Sequence, residues 1–530
     1  MLLLVTGSET SGVTEVADRL GRRFRLAHVR ASSALPTPEL VRAHAARGGA
    51  VLSAPGLSAA EREAFLGSEK RARAVDLDHE SGGGTPADVA ARLFRRLLRE
   101  GFRSGGRVHF AEGARDRVID ERRAEELVRT LLADLGPLRR VLLVPPDFTR
   151  FHSGAGELTA LLYRLLAPSA AVSVLPALGT HAPMTSEEIA RMFPGIPEDR
   201  FLVHEWRSDL STLGEVPSEF VREVSDGKLD YSIRCELDAK LAEGGWDRII
   251  SIGQLVPHEV IGIAGHDKNI FVGTGGKDVI DRTHYLGAVC GMESIMGRAH
   301  SPVRDVLQYM SGELARHLPI THLLTVRERE RNGSLVTRGL FAGDDASCFL
   351  AGAPLVQECN LELFESPLKK VVVYLDPEEF KSTWLGNKAV YRTRMVLADG
   401  GELLVLAPGV ARFGEDPDID RLIRRYGYRG TPATLEATAR EPELQTSLSA
   451  AAHLIHGSSE GRFRIAYAAG GLSPDEVRSV GYDHEPLSAC LERYDPARLA
   501  PGMNTLPDGE EIFFVPNPAL GLWGVRSAFE

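Results

Sequence analysis

Apolar residues along this chain come in short runs that alternate with longer, helically spaced stretches. The runs 140–144, 171–177 and 248–257 read as strands, and the stretches 156–166 and 185–193 read as helices. Such alternation predicts an α/β sheet with parallel strands. A second α/β unit is expected from about residue 345, with strands over 370–375 and 402–407 and helices over 377–388 and 418–426. Ahead of both, 2–6 reads as a strand, 7–14 as a loop and the residues up to Arg22 as a helix.

With 530 residues, a single core is not expected. The pattern divides the chain into 1–104, 105–340 and 341–530, with GFRSGG at 101–106 as the linker. Strand, loop and helix in the first unit follow the order of a phosphate-binding loop. Gly7, Gly12 and Thr14 stand in its places, but Val13 stands where the loop needs a lysine to reach phosphate. Together with the GGGT loop at 82–85, this resembles a shortened, degenerate P-loop kinase-like domain, and it reads better as a docking or regulatory module than as a kinase.

Candidate chemistry gathers where predicted strands end. The stretch Asp147, Phe148, Thr149, Arg150 follows one strand, Gly179, Thr180, His181 a second, and His258 a third. Ligands of open α/β sheets bind at that edge, so three distant motifs converge on one crevice. From His258 to His284 the chain is dense in glycine, including Gly262, Gly265, Gly273, Gly275 and Gly276. No ordinary packed helix or strand is expected there, and the glycines let backbone approach a bulky ligand. Two histidines on opposite sides of a bound carbon can exchange a proton near neutral pH, as inversion of a stereocentre requires.

Charge narrows the partners. A net charge of −11 argues against nucleic acid or an anionic membrane. Five cysteines without CxxC spacing support neither a disulfide framework nor a zinc knuckle and fit a reducing cytoplasm. The apolar start MLLLVTG lacks a basic leader, and no apolar run has the length of a membrane helix.

A histidine followed by glycines at four and seven residues, a lysine at ten and a second histidine at twenty-six falls on His258, Gly262, Gly265, Lys268 and His284. With the Asp-x-Thr-Arg and Gly-Thr-His motifs upstream, the chain from about residue 105 onward resembles the nickel-pincer lactate racemase family. The resemblance implies two α/β domains enclosing a cleft, here preceded by the small P-loop-like unit. It implies inversion at C2 of a small 2-hydroxy carboxylic acid through a 2-keto acid, with hydride passing to a nickel-pincer nucleotide made by separate cofactor-synthesis proteins. On it Lys268 tethers the cofactor, His284 binds nickel, His181 and His258 are the acid/base pair, and Arg150 and Lys388 hold the substrate. Asp147 and Thr149 orient Arg150 or meet the cofactor phosphate, and Gly262 and Gly265 line the cofactor.

Departures matter as well. The family commonly has Gly-Gly-Arg-Lys at the tether where this chain has Gly265, His266, Asp267, Lys268, which leaves Lys277 as a rival tether and His266 either in the cofactor shell or bonded to Asp267. Leu385 replaces the glutamine expected one turn before Lys388, which favours a substrate other than lactate, such as a sugar acid meeting Asn387, Tyr391 and Arg392. His152 sits near the motif in a loop, and His453 and His456 read as a structural pair on a helix. Two other readings stand beside this one. One is a zinc hydrolase built on His181, His258 and His284, and the other is a non-catalytic nucleotide or ligand sensor.

Overall fold

The computed structural model describes residues 107–330, 333–519 and 521–529, together with four strands and a few helical residues among the first 106. Those strands, β1 (Leu2–Gly7), β2 (Ala27–Arg30), β3 (Ala50–Pro55) and β4 (Ala72–Asp76), form a wholly parallel sheet in the order β2-β3-β1-β4. The expected first strand is thus β1. The loop at 8–14, with Gly12, Val13 and Thr14, and the stretches 82–85 and 101–106 lie outside the described residues.

The next unit opens with β5 (Val108–Gly113), α1 (Glu121–Leu135), β6 (Arg140–Val144), α2 (Ala155–Leu166) and β7 (Ala171–Val174). Asp120 caps α1 by accepting from the Arg123 amide at 2.8 Å, and Gly136, with φ of 74°, ends it. A hairpin of β8 (Leu210–Val216) and β9 (Ile233–Asp238) leads to β10 (Arg248–Leu255) and to a short antiparallel pair, β11 (Pro257–His258) with β12 (Gly262–Ile263). Then follow α3 (Asp267–Phe271), α4 (Lys277–Cys290), β13 (Ile320–Arg329), β14 (Leu335–Gly343) and α5 (Ala346–Asn360). The sheet runs β5-β14-β13-β10-β6-β7, parallel from β13 to β7 and antiparallel where β14 meets β13 and β5.

Alternation within the strands explains their continuous apolarity. Val141, Leu143, Ile250 and Ile252 pack beneath α1 and α2 with Val128, Leu131 and Leu162. Leu142, Val144 and Ile249 face the opposite way, toward a core shared with Ile270, Phe271 and Leu286 of α3 and α4.

Two expectations change here. The segment from His258 to His284 is not irregular throughout, because after Gly276 the chain forms the fourteen-residue helix α4, with Val279, Ile280, Thr283, Tyr285, Leu286 and Ala288 buried. Glycine density had masked its helical spacing. The boundary near 340 also moves, since α5 lays Cys348, Phe349 and Val356 against Leu324, Val326 and Phe341 of β13 and β14, so the first α/β unit runs to residue 360.

The last unit contains β15 (Leu361–Phe364), β16 (Leu368–Tyr374), α6 (Lys388–Thr393), β17 (Leu397–Ala407), α7 (Pro417–Tyr426), α8 (Leu448–His456), β18 (Arg464–Ala469), β19 (Asp483–His484), β20 (Gly502–Thr505), β21 (Glu511–Val515) and β22 (Leu522–Val525). Its sheet runs β19-β18-β17-β16-β21-β20 and is parallel except at β20. The helix expected over 377–388 is broken, because Ser382 accepts from the Leu385 amide and starts a new turn, Thr383–Gly386. Lys388 therefore begins α6 instead of ending a longer helix. One apolar cluster runs through both large units, and α8 packs on α4 across their boundary. All five cysteines are free, and among the described residues no helix is long and apolar enough to cross a membrane.

Candidate active site

Three loops that leave β6, β7 and β10 are stitched together by main-chain bonds. The Ala177 amide donates to Pro145 O and the Gly179 amide to Gly273 O, both at 2.8 Å. This brings His181 onto Asp147. Their Nδ1 and Oδ2 atoms are 2.5 Å apart, and Thr149 donates its hydroxyl to the other carboxylate oxygen. Burial alone would raise the Asp147 carboxyl. The His181 bond, the Thr149 bond and the Arg150 charge reverse this, and its pKa falls below the usual range. An ionised carboxylate only accepts, so His181 donates from Nδ1, which in the neutral ring leaves the lone pair on Nε2, in a side chain 55% exposed. Asp147 and Thr149 thus serve His181.

His258 is held the opposite way. It lies in β11, is 6% exposed, and its Nδ1 accepts the Val260 amide at 3.1 Å. The neutral ring therefore carries its proton on Nε2. Burial, aided by Lys268, Arg150 and His284 and opposed by Glu259, takes the pKa of His258 well below that of free histidine. As neutral rings the two histidines thus hold opposite tautomers.

Lys268 lies in the first turn of α3. Burial first, then the charge of Arg150, brings its pKa down to about 8, against the pull of Glu259 and Asp147. Among the described residues no side chain or carbonyl pairs with its amine. Lys277 differs, being 55% exposed, ion-paired with Asp281 and donating to Thr446 O at 2.8 Å. His284, in mid-α4, donates Nδ1–H to Ile280 O at 2.6 Å, and burial followed by the Lys268 charge lowers its pKa. Its Nε2 is left as a bare donor atom, the arrangement a metal-binding imidazole needs.

The last unit supplies cations. Arg392, 5% exposed, donates Nη1–H to Pro257 O at 2.7 Å, beside His258, and burial lowers its pKa to about 10. Lys388 lies 5.4 Å from the Phe380 ring, with its pKa brought to about 8 by burial and then Arg150. Arg150 is exposed, makes no side-chain bond among the described residues, and its charge bears on His258, Lys268, Lys388 and Arg392. Among the described residues its guanidinium is thus open to an anionic group.

Several expected residues lie elsewhere. Gly262 (φ 89°) and Gly265 (φ 84°) face protein instead of open space, since a Cβ would sit 2.2 Å from Arg298 O and 2.8 Å from Gln254 O. Their backbone meets backbone. Asn387 accepts from the Tyr467 hydroxyl and Tyr391 pairs with His453 Nδ1 at 2.7 Å, so both are engaged inside the last unit. His152 is exposed. Buried His266 approaches Asp267 at 3.1 Å and stacks on His322 with centroids 3.7 Å apart. These three are the only group of metal-ligating side chains among the described residues, so His181, His258 and His284 do not assemble as a zinc site.

Sequence reasoning missed two groups. Glu259 holds a carboxylate oxygen 3.8 Å from His258 Nδ1, and cations take its pKa far down although burial opposes them. His453 is structural as expected, bonded on both nitrogens to Tyr391 and Tyr428. His456 is not its equal, because its buried Nε2 has no partner and its charge neighbours are Glu259, Arg394 and His284. The only sequence signal for Glu259 is its place directly after His258.

Residues 116–297, which include Asp147, His181, His258, Lys268 and His284, match the model of the lactate racemase N-terminal domain. A protein from Thermotoga maritima, solved by a structural genomics consortium, is 25% identical and superposes with a TM-score of 0.65, covering 77% of this chain and 98% of its own. The lactate racemase apoprotein from Thermoanaerobacterium thermosaccharolyticum shares the fold at 17% identity, with a TM-score of 0.56 over 76% of this chain and 92% of its own. No curated protein sequence matches. Residues 116–297 thus match a lactate racemase N-terminal domain, and the chain shares its fold with a lactate racemase apoprotein.

Proposed function

We propose that this protein is a racemase or epimerase that inverts C2 of a small 2-hydroxy carboxylic acid with the help of a nickel-pincer nucleotide. The observation that carries the reading is the gathering at one sheet edge of a carboxylate-bound histidine, His181, a second histidine, His258, an unpaired lysine, Lys268, and a histidine with a bare Nε2, His284. These residues fit the cofactor. His284 would bind nickel through Nε2, since imidazole suits that ion, and Lys268 would carry the tether, since a lysine with a pKa near 8 is partly neutral and nucleophilic at physiological pH. When bound, the group supplies a reversible hydride acceptor.

The residues of the chain do the rest. Arg150 and Lys388 attract the substrate carboxylate, and Arg392 holds the last unit against the loop of His258. His181 takes the hydroxyl proton at Nε2, and the buried carboxylate of Asp147 balances the imidazolium that forms. A 2-keto acid turned over in the site and reduced on its other face yields the opposite configuration.

The test is nickel content per chain after co-expression with cofactor-synthesis proteins, followed by inversion assays on lactate, glycerate and gluconate. About one nickel per chain in the wild type, lost in His284→Ala, is the expected result. Nickel-free wild type despite a demonstrated cofactor supply would end this reading.

A further inference from the structure

Inversion at C2 asks both histidines to do the same work in opposite directions. Each must at some point offer a lone pair on Nε2 to the substrate hydroxyl, and so each must carry its other proton on Nδ1. His181 meets this requirement through Asp147. His258 does not, because its Nδ1 accepts the Val260 amide. Something must take an Nδ1 proton from His258 when that ring becomes charged.

The groups around His258 leave one candidate. Lys268 from α3, His284 from α4, and Arg150 are donors or cations that oppose a charged His258. Glu259 is the exception, with Oε2 3.8 Å from Nδ1, nearer than any other carboxylate. Its side chain is 22% exposed and, among the described residues, receives no hydrogen bond from another side chain. A largely buried carboxylate held only by its own backbone amide is costly unless a further donor arrives during function.

Resting on the racemase reading, we infer that Glu259 is the positioning carboxylate of His258, forming on that side the dyad that Asp147 forms with His181. In the step it serves, the ring first exchanges its resting Nε2 proton for one on Nδ1; the substrate O–H bond then breaks, its proton bonds to the freed Nε2, and the electron pair stays on the substrate oxygen. The second proton of the imidazolium sits on Nδ1 and is donated to Glu259, which closes the 3.8 Å gap as the Val260 contact is released. Glu259 does not touch the reacting atoms. The two dyads differ in one respect, since the one at His181 is made in advance and the one at His258 is made on charging.

Glu259→Gln keeps size and removes charge, and Glu259→Asp keeps charge on a shorter arm. Both are compared with wild type for nickel content, urea midpoint and pH profile of inversion, using lactate, glycerate and gluconate as probes. With nickel and midpoint unchanged, Glu259→Gln is expected to lower kcat about 100-fold with KM within about threefold, the scale of a lost acid/base contribution. It should also displace one limb of the kcat/KM profile, and Glu259→Asp should restore part of both. An unchanged kcat in Glu259→Gln, or a fall in kcat with an undisplaced profile and no recovery in Glu259→Asp, overturns the dyad and leaves the racemase reading intact. Inversion of none of the probes by nickel-loaded wild type overturns the racemase reading, and the dyad with it.

Discussion

His181 and Asp147 meet at 2.5 Å across two loops that leave neighbouring parallel strands. The contact fixes which nitrogen of His181 bears the proton. Asp147→Asn presents an amide that can donate to Nδ1 and push the ring proton to Nε2. Steady-state kinetics should show kcat down by about 10²–10⁴-fold, as in serine-protease triads with the same change, and KM little altered. A loss below tenfold would mean that the contact is structural only.

Lys268 and Lys388 both have pKa values near 8, set first by burial. A lysine amine reacts when neutral, so their reactivity should rise with pH through about 8 and level off, whereas ordinary lysines go on gaining to about 10.4. Brief acetylation of cofactor-free protein followed by peptide mapping should mark these two ahead of Lys277. Faster labelling of Lys277 would restore it as the rival tether.

His109 lies between Asp344 and Asp134, tying β5 to α1. Burial works against its charge, but the two hydrogen bonds and the Asp344 carboxylate prevail, and its pKa is raised. A raised folded value means stabilisation that is complete below the unfolded pKa of about 6.5 and lost as pH climbs through the folded one. The difference in urea midpoint between wild type and His109→Gln should therefore shrink as pH rises from about 6 to about 8. A difference that stays constant would refute the assignment.

Gly262 carries a burden of folding. Alanine there meets Arg298 O and a φ of 89°, so Gly262→Ala should destabilise cofactor-free protein by about 1–3 kcal/mol from backbone strain alone. Denaturant unfolding without cofactor checks this. An unaffected midpoint with poorer cofactor loading would return the glycine to the cofactor wall.

Much of this was legible in the chain. Strand β6 was expected at its observed bounds, because all its residues after Arg140 are buried and both faces are covered. The convergence at one sheet edge of the motifs that carry His181, His258 and Lys268 was legible through spacing, which survives in sequence when strands place motifs there. Helix α4 was obscured because glycine suggests turns, whereas Gly275 and Gly276 mark only its approach. What the α-carbons of Gly262 and Gly265 face was not legible for a related reason, since sequence reports a missing Cβ but not what fills the space. His456 was hidden because its significance rests on contacts between units, which no local pattern encodes, and Glu259 because adjacency in sequence does not say which way its carboxylate turns.

His258 and His284 have their Nδ1 atoms fixed by main-chain partners, the Val260 amide and the Ile280 carbonyl. Side chains at 260 and 280 can therefore be exchanged without touching the resting protonation of either ring. Variation inherited or engineered on the last unit, around Lys388 and Arg392, acts on a chemical apparatus whose settings are stored in the backbone of the other. On the proposed racemase reading, a new substrate is accommodated there while the reaction stays the same.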